Sequence, residues 1–174
     1  MAALGLSLSS DPQKRFAKYF PSQTSKALSF AYLGYQLTHS KTGLEVRISR
    51  KRGEKLIGRI ASTFDAFARS KSFDGKAAQL LVSRVRLLTG NTRLHNNKRA
   101  AFVGVYYSNR FINETDQLRL LDTYLATRVA LVPTAFVRRK LSNLSFETGF
   151  RRRVFFTYKP KELKRIASVW RSHG

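Results

Sequence analysis

The chain has 174 residues, with 33 Lys and Arg against 10 Asp and Glu, a formal net charge of +23, and a hydrophobic fraction of 43%. Its 13 Phe, 7 Tyr and repeated Leu/Val/Ile clusters exclude a disordered basic tail, and the absence of cysteine excludes disulfides, thiolate metal sites and a cysteine nucleophile. No stretch approaches the ~18–20 uncharged apolar residues of a spanning helix, and no charged-then-apolar leader opens the chain, so the expectation is a soluble cytoplasmic protein without a membrane partner. Folding against so much like charge is costly, and a polyanion relieves it by mass action; nucleic acid is the commonest such partner.

Leu4-Gly-Leu-Ser-Leu8 is short and apolar, and Ser9-Ser-Asp-Pro12 breaks it, as if the chain opened inside a structural unit. Leu28 to Leu37 is rich in aromatic and β-type residues. A Lys41-Thr-Gly43 turn then leads to Leu44, Val46 and Ile48 alternating with Glu45 and Arg47, which predicts a β-hairpin with one buried face. From Ser49 the period becomes helical: Leu56, Ile57, Ile60, Phe64 and Phe67 share one arc, and Arg52, Lys55 and Arg59 another. Asp74 is placed to cap a second helix with a stripe of Ala77, Leu81, Val85 and Leu88, Arg84 at its edge and Arg86 opposite.

Composition predicts a loop over Thr89 to Asn97, while Ala101 to Tyr107 suits either a short strand or a buried segment. Thr115 can cap a third helix carrying Leu118, Leu121, Leu125 and Val129, with Asp116 in its first turn and Pro133 as a stop. A helical piece reaching about Leu141, a loop over Ser142 to Phe150 and the apolar Val154-Phe-Phe156 follow. Pro160 then opens a last helix with Leu163, Ile166, Ala167 and Trp170 on its apolar side. The fold class is therefore α+β and predominantly helical: a small antiparallel β-hairpin followed by a bundle of about four helices.

Two basic concentrations could form a track for a phosphodiester backbone: Arg47, Arg50, Lys51, Arg52, Lys55 and Arg59, and Arg138, Arg139 and Lys140 with Arg151, Arg152 and Arg153. Such residues are ordinarily a solvated face, but here the balancing acids are scarce. Phe30, Tyr32 and Tyr35 lie beside the first cluster and could stack on bases, or belong to the core, with at least one of the two tyrosines pointing inward. Thr89-Gly-Asn-Thr-Arg93 could hold an anion on backbone amides, though a plain turn accounts for it more simply. His39, His95 and His173 are isolated, and Asp11, Asp65, Asp74, Asp116 and Asp122 have no neighbouring acid, so neither a metal site nor a catalytic centre is expected in this chain.

Leu4-Gly-Leu-Ser-Leu8 followed by Lys14, then Leu28-Ser-Phe-Ala-Tyr-Leu-Gly-Tyr35 and the basic helix from Ser49, resemble reverse transcriptases of the bacterial retron and group II intron type, just downstream of their catalytic aspartates. In that family a GLxLNxxK segment ends the palm, an FLG[YF] hairpin forms the primer grip, and thumb helices follow. The resemblance implies that residues 1–48 are the end of a palm with its primer-grip hairpin, Tyr32, Leu33, Gly34 and Tyr35 forming the turn, and that 49–174 is a basic thumb-like helical domain. Arg84 to Asn109 is similar to the extended thumb of reverse transcriptases linked to phage defence. Lys14 lies farther from the GLxL-like segment than the family's palm lysine, and the YxDD metal-binding signature is absent. The implied function is to hold an RNA, DNA or hybrid template–primer duplex for an amino-terminal polymerase part that would carry the Mg2+ and the nucleotidyl transfer. A structural RNA-binding protein, such as a ribosomal or RNA-chaperone component, fits the composition equally well.

Overall fold

The computed structural model describes residues 28–70, 75–94 and 101–173. The expectations placed on Leu4 to Lys14, Asp74 and His95 lie outside these residues.

The fold is α+β and mostly helical. Its first element is a three-stranded antiparallel meander rather than one hairpin: β1 (Leu28–Tyr32), β2 (Tyr35–Ser40) and β3 (Gly43–Ile48), in that spatial order. The run from Leu28 to Leu37 is folded in half, because Leu33 and Gly34 turn the chain and pair Tyr32 with Tyr35 and Leu28 with His39. The expected buried face is also corrected. Only Ile48 enters the core, whereas Leu44, two strand positions of alternation away, is 52% exposed. The reason is that side chains of the sheet pack on the core at the end where Tyr35 pairs with Ile48, whereas the loop around Asn113 meets β3 through its backbone edge. There Asn113 pairs with the strand edge, donating its backbone N–H to the Val46 carbonyl at 3.1 Å and accepting the Val46 N–H on Oδ1 at 2.7 Å.

Helix α1 (Arg50–Ala68) begins where the Ser49 hydroxyl accepts the Arg52 N–H, satisfying one of the otherwise unpaired amides of the first turn. It buries Ile60, Phe64 and Phe67 as its periodicity predicts; Ile57, expected on the same arc, is exposed because no element covers that edge. Helix α2 (Gly75–Thr89) buries Leu81, Val85 and Leu88, and α4 (Asp116–Ala130) buries Leu118, Leu121, Leu125 and Val129 and stops ahead of Pro133. Thr115 occupies the cap position of α4, but its side chain makes no capping bond; its hydroxyl accepts from Arg151 instead.

Two stretches predicted as loops are regular. Asn91–Leu94 forms β4, paired antiparallel with β5 (Ala101–Gly104), after which the chain turns into α3 (Val105–Asn109). Phe146–Arg151 forms the short helix α6 after α5 (Ala135–Ser142). Helix α6 is set by a distant acid: Asp122 of α4 accepts the backbone N–H groups of Phe146 and Glu147, at 2.6 and 3.1 Å, and the Ser145 hydroxyl at 2.8 Å. A carboxylate on unpaired first-turn amides stabilises a helix start. Pro160 opens α7 (Pro160–Ala167), with Glu162 accepting the Lys159 N–H, and a 3-10 turn (Ser168–His173) follows. Among the described residues there are thus seven α-helices, not four.

A single apolar cluster runs from Ile48 through α1, α2 and α4 to Ile166 and Trp170. Trp170 seals it, its Nε1–H lying 3.1 Å from both the Arg59 carbonyl and the Thr63 hydroxyl. Arg84 is buried among these helices and donates to the Ile166 carbonyl at 3.3 Å; burial, and then the Arg165 charge, lower its pKa. No helix of the described residues is long and apolar enough to cross a membrane.

Candidate nucleic-acid interface

At the β1–β2 turn, Leu33 and Gly34 both have positive φ, 47° and 83°. This is the pattern of a two-residue hairpin turn whose twist matches the flanking strands. For Leu33 the left-handed conformation costs about 1–2 kcal/mol, and the side chain recovers little of it by packing, being 73% exposed beside an exposed Tyr32. Gly34 is constrained twice: besides its φ, a Cβ there would lie 2.7 Å from the Arg52 Cζ. Its carbonyl accepts the Ser49 N–H at 2.9 Å, so the turn is tied to the start of α1.

Tyr35 is the inward tyrosine. Its hydroxyl donates to the Ser108 carbonyl at 3.0 Å, its ring meets Phe111 edge-on at 5.9 Å, and the Arg52 guanidinium lies 5.2 Å from its centroid. Arg52 also donates to the Ser108 carbonyl at 2.7 Å and to Asn109 Oδ1 at 3.3 Å. Arg52 therefore clamps the turn and α1 to α3, a structural task that its place in a basic run does not reveal.

Of the remaining cations of the first cluster, Arg50, Lys51, Lys55 and Arg59 line two adjoining hollows, and Arg47 lines neither. An open concavity of about 960 Å³ is lined by Tyr32, Leu33 and Gly34 of the turn and by Arg50, Lys51 and Lys55 of α1. A second groove, about 450 Å³, continues past Lys55 and Arg59 to Val103, Gly104 and Trp170. Arg50 is exposed and bonded to Glu54 at 2.8 Å, which raises its pKa through that bond and the carboxylate charge. Lys51 and Lys55 are exposed. Arg59 lies over the Trp170 ring at 5.7 Å, and Arg47 pairs with Glu45.

The second cluster is dispersed into separate tasks. Arg138 donates to the Val132 and Pro133 carbonyls at 2.6 and 3.1 Å, holding the α4–α5 loop. Arg139 and Lys140 lie over the Phe136 ring, and Lys140 lines a hollow of about 540 Å³ with Arg86 between α2 and α5. Arg151 bonds Glu147 at 2.9 Å and the Thr115 hydroxyl, Arg152 is exposed, and Arg153 lies 4.3 Å from the Tyr106 centroid. Burial alone would push the Glu147 carboxyl up, but hydrogen bonds from Arg151 and Arg119 outweigh it and hold it below its usual range.

The Thr89–Arg93 segment has no amides to spare for an anion at its glycine. The Gly90 and Asn91 N–H groups are taken by the Arg86 and Val154 carbonyls, at 2.9 and 2.8 Å. Among the described residues no group of three or more His, Asp and Glu is placed to hold a metal ion. Asp65 pairs with Arg128, Asp116 with Arg119, and Asp122 anchors α6. Sequence reasoning missed Ser108, Asn109 and Trp170 as partners of the basic helix, because only the tertiary fold brings them to it. No family model matches this chain, and no curated protein or solved structure is significantly similar to it.

Proposed function

We propose that this chain grips a nucleic-acid duplex as the carboxy-terminal portion of a reverse transcriptase of the retron and group II intron type. In this reading Tyr32–Tyr35 is the primer-grip turn and the first half of α1 is a rail for backbone phosphates. The observation that carries it is the exposed, left-handed Leu33-Gly34 tip set beside Arg50, Lys51 and Lys55 in one concavity. A strained apolar tip that contributes little to the fold suits a place where it meets a ligand, and the exposed Lys51 and Lys55, which make no ion pair among the described residues, attract polyphosphate beside Arg50, itself paired with Glu54. Contacts of this kind recognise shape and backbone rather than base sequence. Nucleotidyl transfer, with its Mg2+, would belong to a palm carrying the YxDD aspartates; the described acids do not converge on a site for those ions.

The test is a titration of the chain with a blunt RNA–DNA hybrid at several salt concentrations. With roughly five phosphates neutralised, log K falls against log salt with a slope of about −3.5 to −4.5. Replacing Arg50, Lys51 and Lys55 together by Gln lowers affinity alike on all sequences and reduces the slope by about two to three, with helical circular dichroism unchanged. Arg52 and Arg59 are left intact because the Arg52 side chain holds α3 and the Arg59 guanidinium packs over the Trp170 ring. An unchanged slope in the triple variant would sink the rail, and a strong preference for one folded RNA over the hybrid would favour a structural RNA-binding protein instead.

A further inference from the structure

Beside the α1 groove, β5, α3 and the segment following α6 bring four rings to one surface. Phe102 and Tyr107 stack with centroids 5.2 Å apart and planes 19° from parallel. Phe155 meets both edge-on, at 5.8 and 5.9 Å, and Tyr106 stands edge-on to Tyr107 at 5.2 Å. A guanidinium flanks each end: Arg93, paired across the β4–β5 ladder with Phe102, lies 6.0 Å from its centroid, and Arg153 lies 4.3 Å from that of Tyr106. Rings that cluster are usually core, but Phe102 and Phe155 each remain 46% exposed, and both arginines are exposed. Among the described residues neither arginine is in an ion pair.

From this geometry we infer a second nucleic-acid site: an aromatic platform on which unpaired bases of a single strand stack while Arg93 and Arg153 take the adjoining phosphates. Exposed rings give every base a π-face irrespective of sequence, and arginines beside them add charge and cation–π attraction. A net charge of +23 selects a polyanion over a neutral or basic protein surface. The platform is rigid before any ligand arrives. Asn91 bridges the three segments, donating Nδ2–H to the Gly149 and Val154 carbonyls and accepting the Tyr106 N–H. The elements that carry the platform also border the rail: Val103 and Gly104 of β5 and Ser108 of α3 line the groove that Lys55 and Arg59 flank. The inference rests on the reading above only in taking the bound polymer to be nucleic acid.

The experiment compares three probes on the whole chain: a dT oligonucleotide of about 12 nucleotides, its abasic counterpart with the same phosphates, and a blunt RNA–DNA hybrid. The expected result is dT binding about tenfold or more tighter than the abasic strand. Phe102→Leu with Phe155→Leu should abolish that preference, leaving hybrid affinity unchanged. Equal binding of dT and abasic strands by the unaltered chain overturns the platform whatever the variants do, and does so while leaving the rail intact if the hybrid still binds. Hybrid binding that fails while dT binding persists removes the rail alone. A double variant that weakens all three probes equally, or that loses binding to anionic-lipid vesicles rather than to dT, also overturns the assignment.

Discussion

Replacing Asn91 by Ala removes a side chain that is 1% exposed and makes three hydrogen bonds between segments far apart in sequence. The Val154 carbonyl keeps the bond from the Asn91 backbone N–H at 2.8 Å, and the Gly149 carbonyl keeps a longer one from the Val154 N–H at 3.3 Å. The Tyr106 N–H loses its acceptor. One orphaned amide costs about 1–3 kcal/mol, and each of the two carbonyls loses about 0.5–1.5 kcal/mol. The expected destabilisation is therefore about 2–6 kcal/mol, a large share of the ~5–15 kcal/mol available to a domain. Urea unfolding followed by circular dichroism measures it as a drop in midpoint.

Asn91→Asp refines the argument at constant shape. It keeps an acceptor for Tyr106 but turns a second oxygen toward two carbonyls, so burial and those dipoles raise its folded pKa above the ordinary value of about 3.9. A raised acid pKa in the folded state means stability retained below the unfolded value and lost as pH rises through the folded one. Relative to the unaltered chain, the Asp penalty should be smallest below about pH 4 and grow toward neutrality. A loss below about 1 kcal/mol for Ala, or an Asp penalty indifferent to pH, would refute the account of Asn91 as the bridge.

Leu33→Asn should stabilise the fold by up to about 1 kcal/mol, since Asn tolerates the left-handed turn and little burial is lost. Hybrid binding should weaken at the same time; a destabilised variant would mean that Leu33 supports the turn by packing. Burial pushes the Tyr158 phenol up to about 12, its hydroxyl donating to the Ser83 carbonyl at 3.3 Å. In an ultraviolet titration a phenolate signal should therefore lag the rest. Because the folded value lies above the unfolded one, near 10, this group's stabilisation is complete below about pH 10 and is lost as pH climbs toward 12. Tyr158→Phe should lessen that alkaline loss, and unchanged alkaline behaviour would contradict the burial.

Helices α1, α2, α4 and α7 were legible in the sequence because each buries a stripe at helical period, and their ends carry local signals: Ser49 at a cap, Pro133 beyond a stop, Pro160 at a first position. The Leu33-Gly34 turn was legible only through the resemblance, since Leu is a poor left-handed residue and composition alone ran the strand through it. The exposure of Leu44 and Ile57 was not legible, because alternation and periodicity say which residues share a face and not whether another element covers it. Nor were β4 and α6. Asn91, Thr92 and Arg93 read as loop because they are polar, and they become strand because Gly104, Val103 and Phe102 of β5 pair with them, while Val154, Phe156 and Gly149 hold Asn91 from about sixty residues away. Helix α6 has little apolar periodicity of its own and starts where Asp122 meets its amides. Charge was fully determined by the sequence, but its use was decided by tertiary contacts. Arg52, Arg138 and Arg151 are spent on carbonyls, a hydroxyl and carboxylates inside the fold, while Lys51, Lys55 and Arg152 stay exposed, because a guanidinium satisfies several acceptors at once wherever packing presents them.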